Sequence, residues 1–165
     1  MNGLYNIGII ILLSYLVGSF LNVVIHRLPL MLKLKKKTHP FKKFNLALPR
    51  SHCIQCHHPL SWWQNIPLIS YLLLRGKCHY CHEKISARYF WVELSYMILI
   101  GIGFYQFPQP QHFFWVSIFI SLTLVIFIID LETMMIPDIL NYLLLWSGLM
   151  ANSFGLFCDL QSAVY

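Results

Sequence analysis

All twelve lysines and arginines of this chain lie between Arg27 and Arg88, and residues 94–129 carry no charge of either sign. A soluble domain spreads about 25% charged residues over its surface. Here only 11% of 165 residues are charged and 58% are hydrophobic. In water such a chain would expose long apolar runs, and a lipid bilayer is the solvent that accepts them. The net charge of +6 therefore belongs to one polar insert. It does not mark a nucleic-acid-binding face, and no nucleic-acid partner is expected.

A bilayer core takes about 20 apolar residues as a helix. Residues 7–25 supply 19 uncharged positions, and residues 89–107 supply 19 with one acid, Glu93. Residues 113–129 give 17 more, and residues 139–157 another 19. The breaks between the last three are "PQPQH" at 108–112 and "DLETMMIPD" at 130–138, where Pro137 suits the opening of a helix. The predicted fold is an all-α integral membrane protein with about four transmembrane helices and one insert between the first and second. The predicted division is residues 1–26, the first span; 27–88, the basic insert; and 89–165, the remaining spans. The first segment is not expected to be a cleaved signal, because residues 1–6 lack a basic stretch and no small-x-small site follows.

Seven basic residues from Arg27 to Lys43 follow the first span, and four from Arg75 to Arg88 precede the second. The breaks at 108–112 and 130–138 have none. The positive-inside rule puts residues 27–88 in the cytoplasm. Counting spans then puts 108–112 outside and 130–138 back in the cytoplasm. Asp130 and the insert are thus expected on one side of a multi-pass membrane protein.

The insert contains "CIQCHH" at 53–58 and "CHYCHE" at 78–83. Cys-x-x-Cys-His fits haem attachment, a redox dithiol or a zinc knuckle. Covalent haem and lasting disulfides belong outside the cytoplasm, which argues against the first two. Cys53, Cys56, Cys78 and Cys81 would together make a tetrahedral S4 site, with Zn–S near ~2.3 Å. The 21-residue gap is a little longer than the ~15–20 common in such modules. An S4 site leaves no open position, so the expected role is a structural Zn²⁺ staple for an insert with little core of its own. His57 and His82 are then bystanders. Cys158 reads as a small apolar residue within the last helix. The basic stretch 33–43 reads as the positive-inside anchor, with anionic headgroups as the alternative ligand. Trp62 and Trp63 fit either the membrane interface or the metal module.

Acids at membrane helix ends draw attention because ionisable groups are costly there. For Asp130 alone, a solvated interfacial carboxylate is the commoner explanation. Asp138 reads as a helix N-terminal acid favourable to the dipole. Glu93 is expected to pair with Arg88.

Four stretches then combine: "GSFLNVVIHRLP" at 18–29, "LSWWQNIPLISYLLLRGKC" at 60–78, "ISARYFWVEL" at 85–94 and "IDLETMMIPD" at 129–138. With the cysteine quartet between them, the chain resembles the type IV prepilin peptidases over roughly residues 18–145. These are membrane aspartic peptidases of the bacterial inner membrane. The resemblance implies cleavage of the basic leader from type IV prepilins or pseudopilins at the cytoplasmic face. N-methylation of the new N-terminus with S-adenosylmethionine would follow. It maps the first catalytic aspartate to Asp130, and leaves Asp138 and Glu93 as possible supporting acids. It matches the four cysteines to the family's cytoplasmic metal-binding module.

Ile54 and Phe90 stand where the family often has proline. More consequential is the family's second aspartate, in a Gly-x-Gly-Asp motif that these 165 residues lack. An aspartic peptidase needs two carboxylates sharing a proton, because like charges a few Å apart cannot both ionise. The chain is therefore expected to be the N-terminal part of such an enzyme, truncated and inactive alone. Rescue by Asp138 or by a second copy of Asp130 is the exception. Two other readings remain: a non-catalytic zinc-containing scaffold of a pilus or type II secretion system, and a membrane-anchored dihaem carrier.

Overall fold

A computed structural model describes residues 2–32, 45, 46, 52, 53, 55, 56, 58, 59, 61, 69–158 and 162. The basic stretch 33–43, Ile54, His57, Trp62 and Trp63 lie outside these described residues. Among the described residues the regular structure is helical: α1 (Asn2–Met31), α2 (Ile69–Leu73), α3 (Arg88–Gln106), α4 (Pro110–Thr133) and α5 (Asp138–Ser153). Of these, α1 over Gly8–Met31 and α4 over Pro110–Thr133 are long and apolar enough to cross a membrane. At ~1.5 Å rise per residue, the 16 residues of α5 reach about 24 Å.

Three residues link α3 to α4 and four link α4 to α5, so each pair is an antiparallel hairpin. α1 packs on α3 and α4, and α4 also packs on α3 and α5. The core between them is formed by Leu21, Val24, Ile25 and Leu28 of α1, Val92, Tyr96 and Ile100 of α3, and Leu124, Val125 and Ile129 of α4, with Leu140 of α5. Outward, the helices carry exposed Leu12, Leu16, Phe20, Trp91, Ile102, Phe119, Phe127, Leu143 and Trp146. A monomer in water rarely carries apolar surface on this scale.

The first helix runs on past residue 26. Arg27, Leu28 and Pro29 are buried within it, and Leu32 N–H still donates to Leu28 O at 3.0 Å. Arg27 donates to the carbonyls of Asn45 and Leu46 at 2.8 and 3.3 Å. The apolar run marks where a helix can meet lipid, not where its hydrogen bonding ends. The last helix stops sooner than its apolar run, at Ser153. Gly155 follows at φ 64°, with its N–H on Asn152 O at 2.9 Å. Cys158, expected inside that helix, is exposed beyond it, its N–H on Asn152 Oδ1 at 3.4 Å. Glycine's ease at positive φ ends the helix where composition alone would continue it.

The helices approach through small residues, as membrane helices do when packing must replace the hydrophobic effect. At Gly18 an added Cβ would lie 3.3 Å from Tyr96 Cδ1 and 3.8 Å from the Glu93 backbone. Gly18→Leu must push α1 off α3 and is expected to cost about 1–3 kcal/mol. Gly8→Leu, with nothing within 4 Å of its Cβ, should leave stability unchanged. Thermal unfolding of the detergent-solubilised protein compares the two. Equal melting temperatures would mean that α1 and α3 are not packed this closely.

One end of the bundle gathers the chemistry-bearing segments. Asn22, near the end of α1, donates from Nδ2 to Tyr89 O at 3.1 Å and Glu93 Oε1 at 2.9 Å, both at the start of α3. Arg88, the first residue of α3, pairs with Glu132 in the last turn of α4. The cysteine insert, Asp130 and the start of α5 therefore share this end. The opposite end is an aromatic cluster of Phe107, His112 and Phe157, where His112 Nε2 lies 3.0 Å from Leu156 O.

Candidate functional site

Each Cys-x-x-Cys sits in a tight turn, and the two turns are built alike. Cys53 N–H donates to His58 O at 3.0 Å, and Cys78 N–H to Glu83 O at 2.8 Å. Residues His52 and Pro59 flank the first turn as an antiparallel bridge, and Lys77 and Lys84 flank the second. The same contacts recur at an offset of 25 positions. The turns are joined by His58 stacked on Tyr80, with ring centroids 3.6 Å apart.

The second turn is fastened to the bundle. Gly76, at φ 66°, donates to Tyr71 O at 2.9 Å and accepts from Ile85 N–H at 2.7 Å. A Cβ at Gly76 would lie 2.9 Å from the Tyr71 ring, so only glycine satisfies both the angle and the approach. Tyr71 in turn meets Phe90 of α3, with centroids 5.6 Å apart. His82 follows the second cysteine at φ 57°, a conformation in which His is enriched among non-glycine residues. This accounts for His82 by backbone shape without making it a ligand.

The four sulfurs of Cys53, Cys56, Cys78 and Cys81 lie within 4.8 Å of one another. Four thiolates at ~2.3 Å around one ion stand about 3.8 Å apart at the edges of a tetrahedron. The Cys53–Cys81 sulfur separation is 3.8 Å. The quartet could hold a metal ion with small side-chain adjustments. Its acid–base chemistry fits a cation as well. The backbone N–H of Cys81 is the main reason the Cys78 thiol is pulled down to about 7; desolvation opposes it and the Tyr80 N–H adds to it. At Cys81 the Glu83 N–H acts downward, but desolvation and the neighbouring Cys78, Cys56 and Cys53 outweigh it and push the thiol up to about 12. One thiolate forms readily, and like charge then holds the proton on its neighbour. A bound cation removes that conflict, so metal uptake releases protons and weakens as pH falls.

Asp130 is exposed in the last full turn of α4. Its carbonyl accepts the Met134 N–H at 2.8 Å, and Met134 closes the helix at φ 51°. Thr133 Oγ1 donates to Ile129 O at 2.8 Å and lies 3.1 Å from Met135 O. The chain reverses over residues 134–137. Pro137 caps α5 by accepting the Leu140 N–H at 3.0 Å, and Asp138 is the first helical residue, exposed at the positive end of the dipole. Asp130 and Asp138 thus flank one turn at one end of a helical hairpin. Glu93 lies elsewhere, buried between α1 and α3 on Asn22.

Arg88, expected to pair with Glu93, pairs with Glu132 across 44 positions of sequence. No local spacing signals that contact. Asn22 and Arg27 also escaped the sequence reading. One is a polar residue in an apolar run, the other one basic residue among several, and their partners come from distant segments.

The model of the bacterial peptidase A24 N-terminal domain matches residues 12–107. A prepilin leader peptidase/N-methyltransferase of Stutzerimonas stutzeri is 44% identical over 94% of this chain and 57% of its own length. The protein of the same description from Pseudomonas aeruginosa is 43% identical with the same coverage. That of Neisseria gonorrhoeae is 41% identical over 92% of this chain and 57% of its own length. The chain thus spans a little over half the length of these relatives. No solved structure matches it significantly.

Proposed function

The chain belongs to the bacterial peptidase A24 family, and on that premise we propose that it carries the metal module and the first catalytic aspartate of a prepilin leader peptidase/N-methyltransferase. The observation that supports this reading is that Asp130 and the start of α3, which follows the cysteine module, lie at one end of the bundle, where Arg88 pairs with Glu132. Substrates on this reading are type IV prepilins or pseudopilins, presented at the cytoplasmic face of the bacterial inner membrane. Residues 27–88 and 130–138 face the cytoplasm, and α1, α3, α4 and α5 are the four spans.

The mechanism needs two carboxylates. Asp130, exposed at a helix end, is one of them. Ionised, it orients and deprotonates a water for attack on the carbonyl of the leader's last residue. The other, protonated, polarises that carbonyl. Among these 165 residues Asp138 is the acid nearest in sequence that is not on α4, and its first-turn position suits a capping charge. The partner carboxylate of the proposal is a Gly-x-Gly-Asp aspartate outside these residues. Zn²⁺ is the metal proposed for the cysteines, as a cross-link holding the two turns together. S-adenosylmethionine supplies the methyl group in the second reaction. The region 89–165 forms the start of the peptidase domain.

The test is cleavage in membranes that lack any other leader peptidase. The 165-residue chain is expected to leave a co-expressed prepilin uncut. A chimera that continues it with the unmatched part of the Stutzerimonas stutzeri relative is expected to cut. A stable, metal-loaded chimera that never cuts would favour the scaffold reading. Cutting by the 165 residues would place the second carboxylate within them, and Asp138→Asn would then abolish it.

A further inference from the structure

Asp130 is exposed in the last turn of α4. Two residues on, Glu132 accepts a hydrogen bond and ion pair from Arg88 Nη1. Successive helical residues are about 100° apart, so Asp130 and Glu132 point roughly 200° away from each other. Ile129, fully buried, lies between them in angle and faces the core. With Glu132 turned to the start of α3, Asp130 must face the other way.

We infer that Arg88 and Glu132 are positioning residues: their ion pair sets the rotation of the last turn of α4 and so presents the Asp130 carboxylate away from α3. Arg88 is the fixed side of the pair. Its N–H donates to Ser86 Oγ at 3.3 Å, its guanidinium lies 5.0 Å from the Tyr89 ring centre, and Tyr89 O is bonded by buried Asn22. On the α4 side, one helical residue follows Glu132 before the turn at Met134. The side chains are about one-fifth exposed (23% and 22%). Such a pair contributes little to overall stability, but it can select among orientations of a helix end. The inference about side-chain direction stands on geometry alone. Its consequence for cleavage rests on the peptidase reading.

Amide hydrogen exchange of the 165-residue protein in nanodiscs tests it. Glu132→Gln and Arg88→Glu are expected to speed exchange of the 130–134 amides about fivefold, with 92–103 unchanged. Arg88→Lys, which keeps the charge but loses the planar fork, should give a smaller rise. The double swap Arg88→Glu with Glu132→Arg should restore slow exchange. Unchanged exchange in both single variants, or a double swap no slower than the faster single, overturns the inference. In the chimera the same singles should lower kcat about fivefold and spare KM, with the swap recovering it. Altered exchange with intact kcat overturns the catalytic part. A chimera that is inactive even without these substitutions, yet shows the exchange pattern, sinks the peptidase reading and leaves the positioning role standing.

Discussion

Asp130→Asn in the chimera is expected to abolish prepilin cleavage, by at least about a thousandfold, while the protein accumulates normally. The amide is isosteric with the carboxylate, and Asp130 is exposed, so the substitution removes no packing. The Asp130 backbone carbonyl still accepts the Met134 N–H, so the helix end keeps its cap. What disappears is the ionisable group. An amide cannot take a proton from water, and a lone partner carboxyl cannot serve as acid and base at once. The readout is the size of the prepilin in membranes, with methylation of a pre-cleaved substrate measured beside it. Methylation should persist, because the proposed carboxylate chemistry belongs to the hydrolytic step. Normal cleavage by the variant would falsify the assignment of Asp130.

Cys78→Ser is expected to lower the amount of protein in the membrane about fivefold or more. The insert between α1 and α3 has only Cys78 buried among its four sulfurs, and its two turns meet through sulfur–sulfur contacts and one His58–Tyr80 stack. Structural zinc contributes roughly 10–16 kcal/mol of apparent free energy in small modules. Serine is a poor thiolate substitute, so most of that is lost, and the opened insert becomes a substrate for proteolysis. Cys158→Ser, at an exposed position beyond α5, should leave abundance and metal unchanged. Quantitative blotting with metal analysis reads both. One zinc and no iron per chain is the expected content, and iron with an intense haem band would revive the dihaem reading. Full abundance of Cys78→Ser together with undiminished zinc would dismiss the staple.

The arrangement at the Asp130 end shows why some features could be read from the chain and others could not. The cysteine spacing announces its chemistry because two Cys-x-x-Cys pairs can each bring two thiols to one metal ion. The recurrence of the same backbone bonds 25 positions on follows from that shared spacing. Asp138 at the head of α5 was legible in the same way, from a proline beside an acid. The pairing of Arg88 was not. A spacing argument offers the nearest acid along the helix, Glu93. The antiparallel return of α4 brings Glu132 to the same place and leaves Glu93 to Asn22.

The sequence by itself determined the solvent, the presence of apolar helices around one basic insert, the four-sulfur cluster and the family. Each of these depends on composition or on spacing within a few residues. Only the tertiary structure decided where helices end, as at Gly155 and past Pro29, and which polar groups meet across 44 or 71 positions. Helix ends follow from single backbone conformations and distant contacts from the packing of whole helices. Neither leaves a periodic trace in the chain.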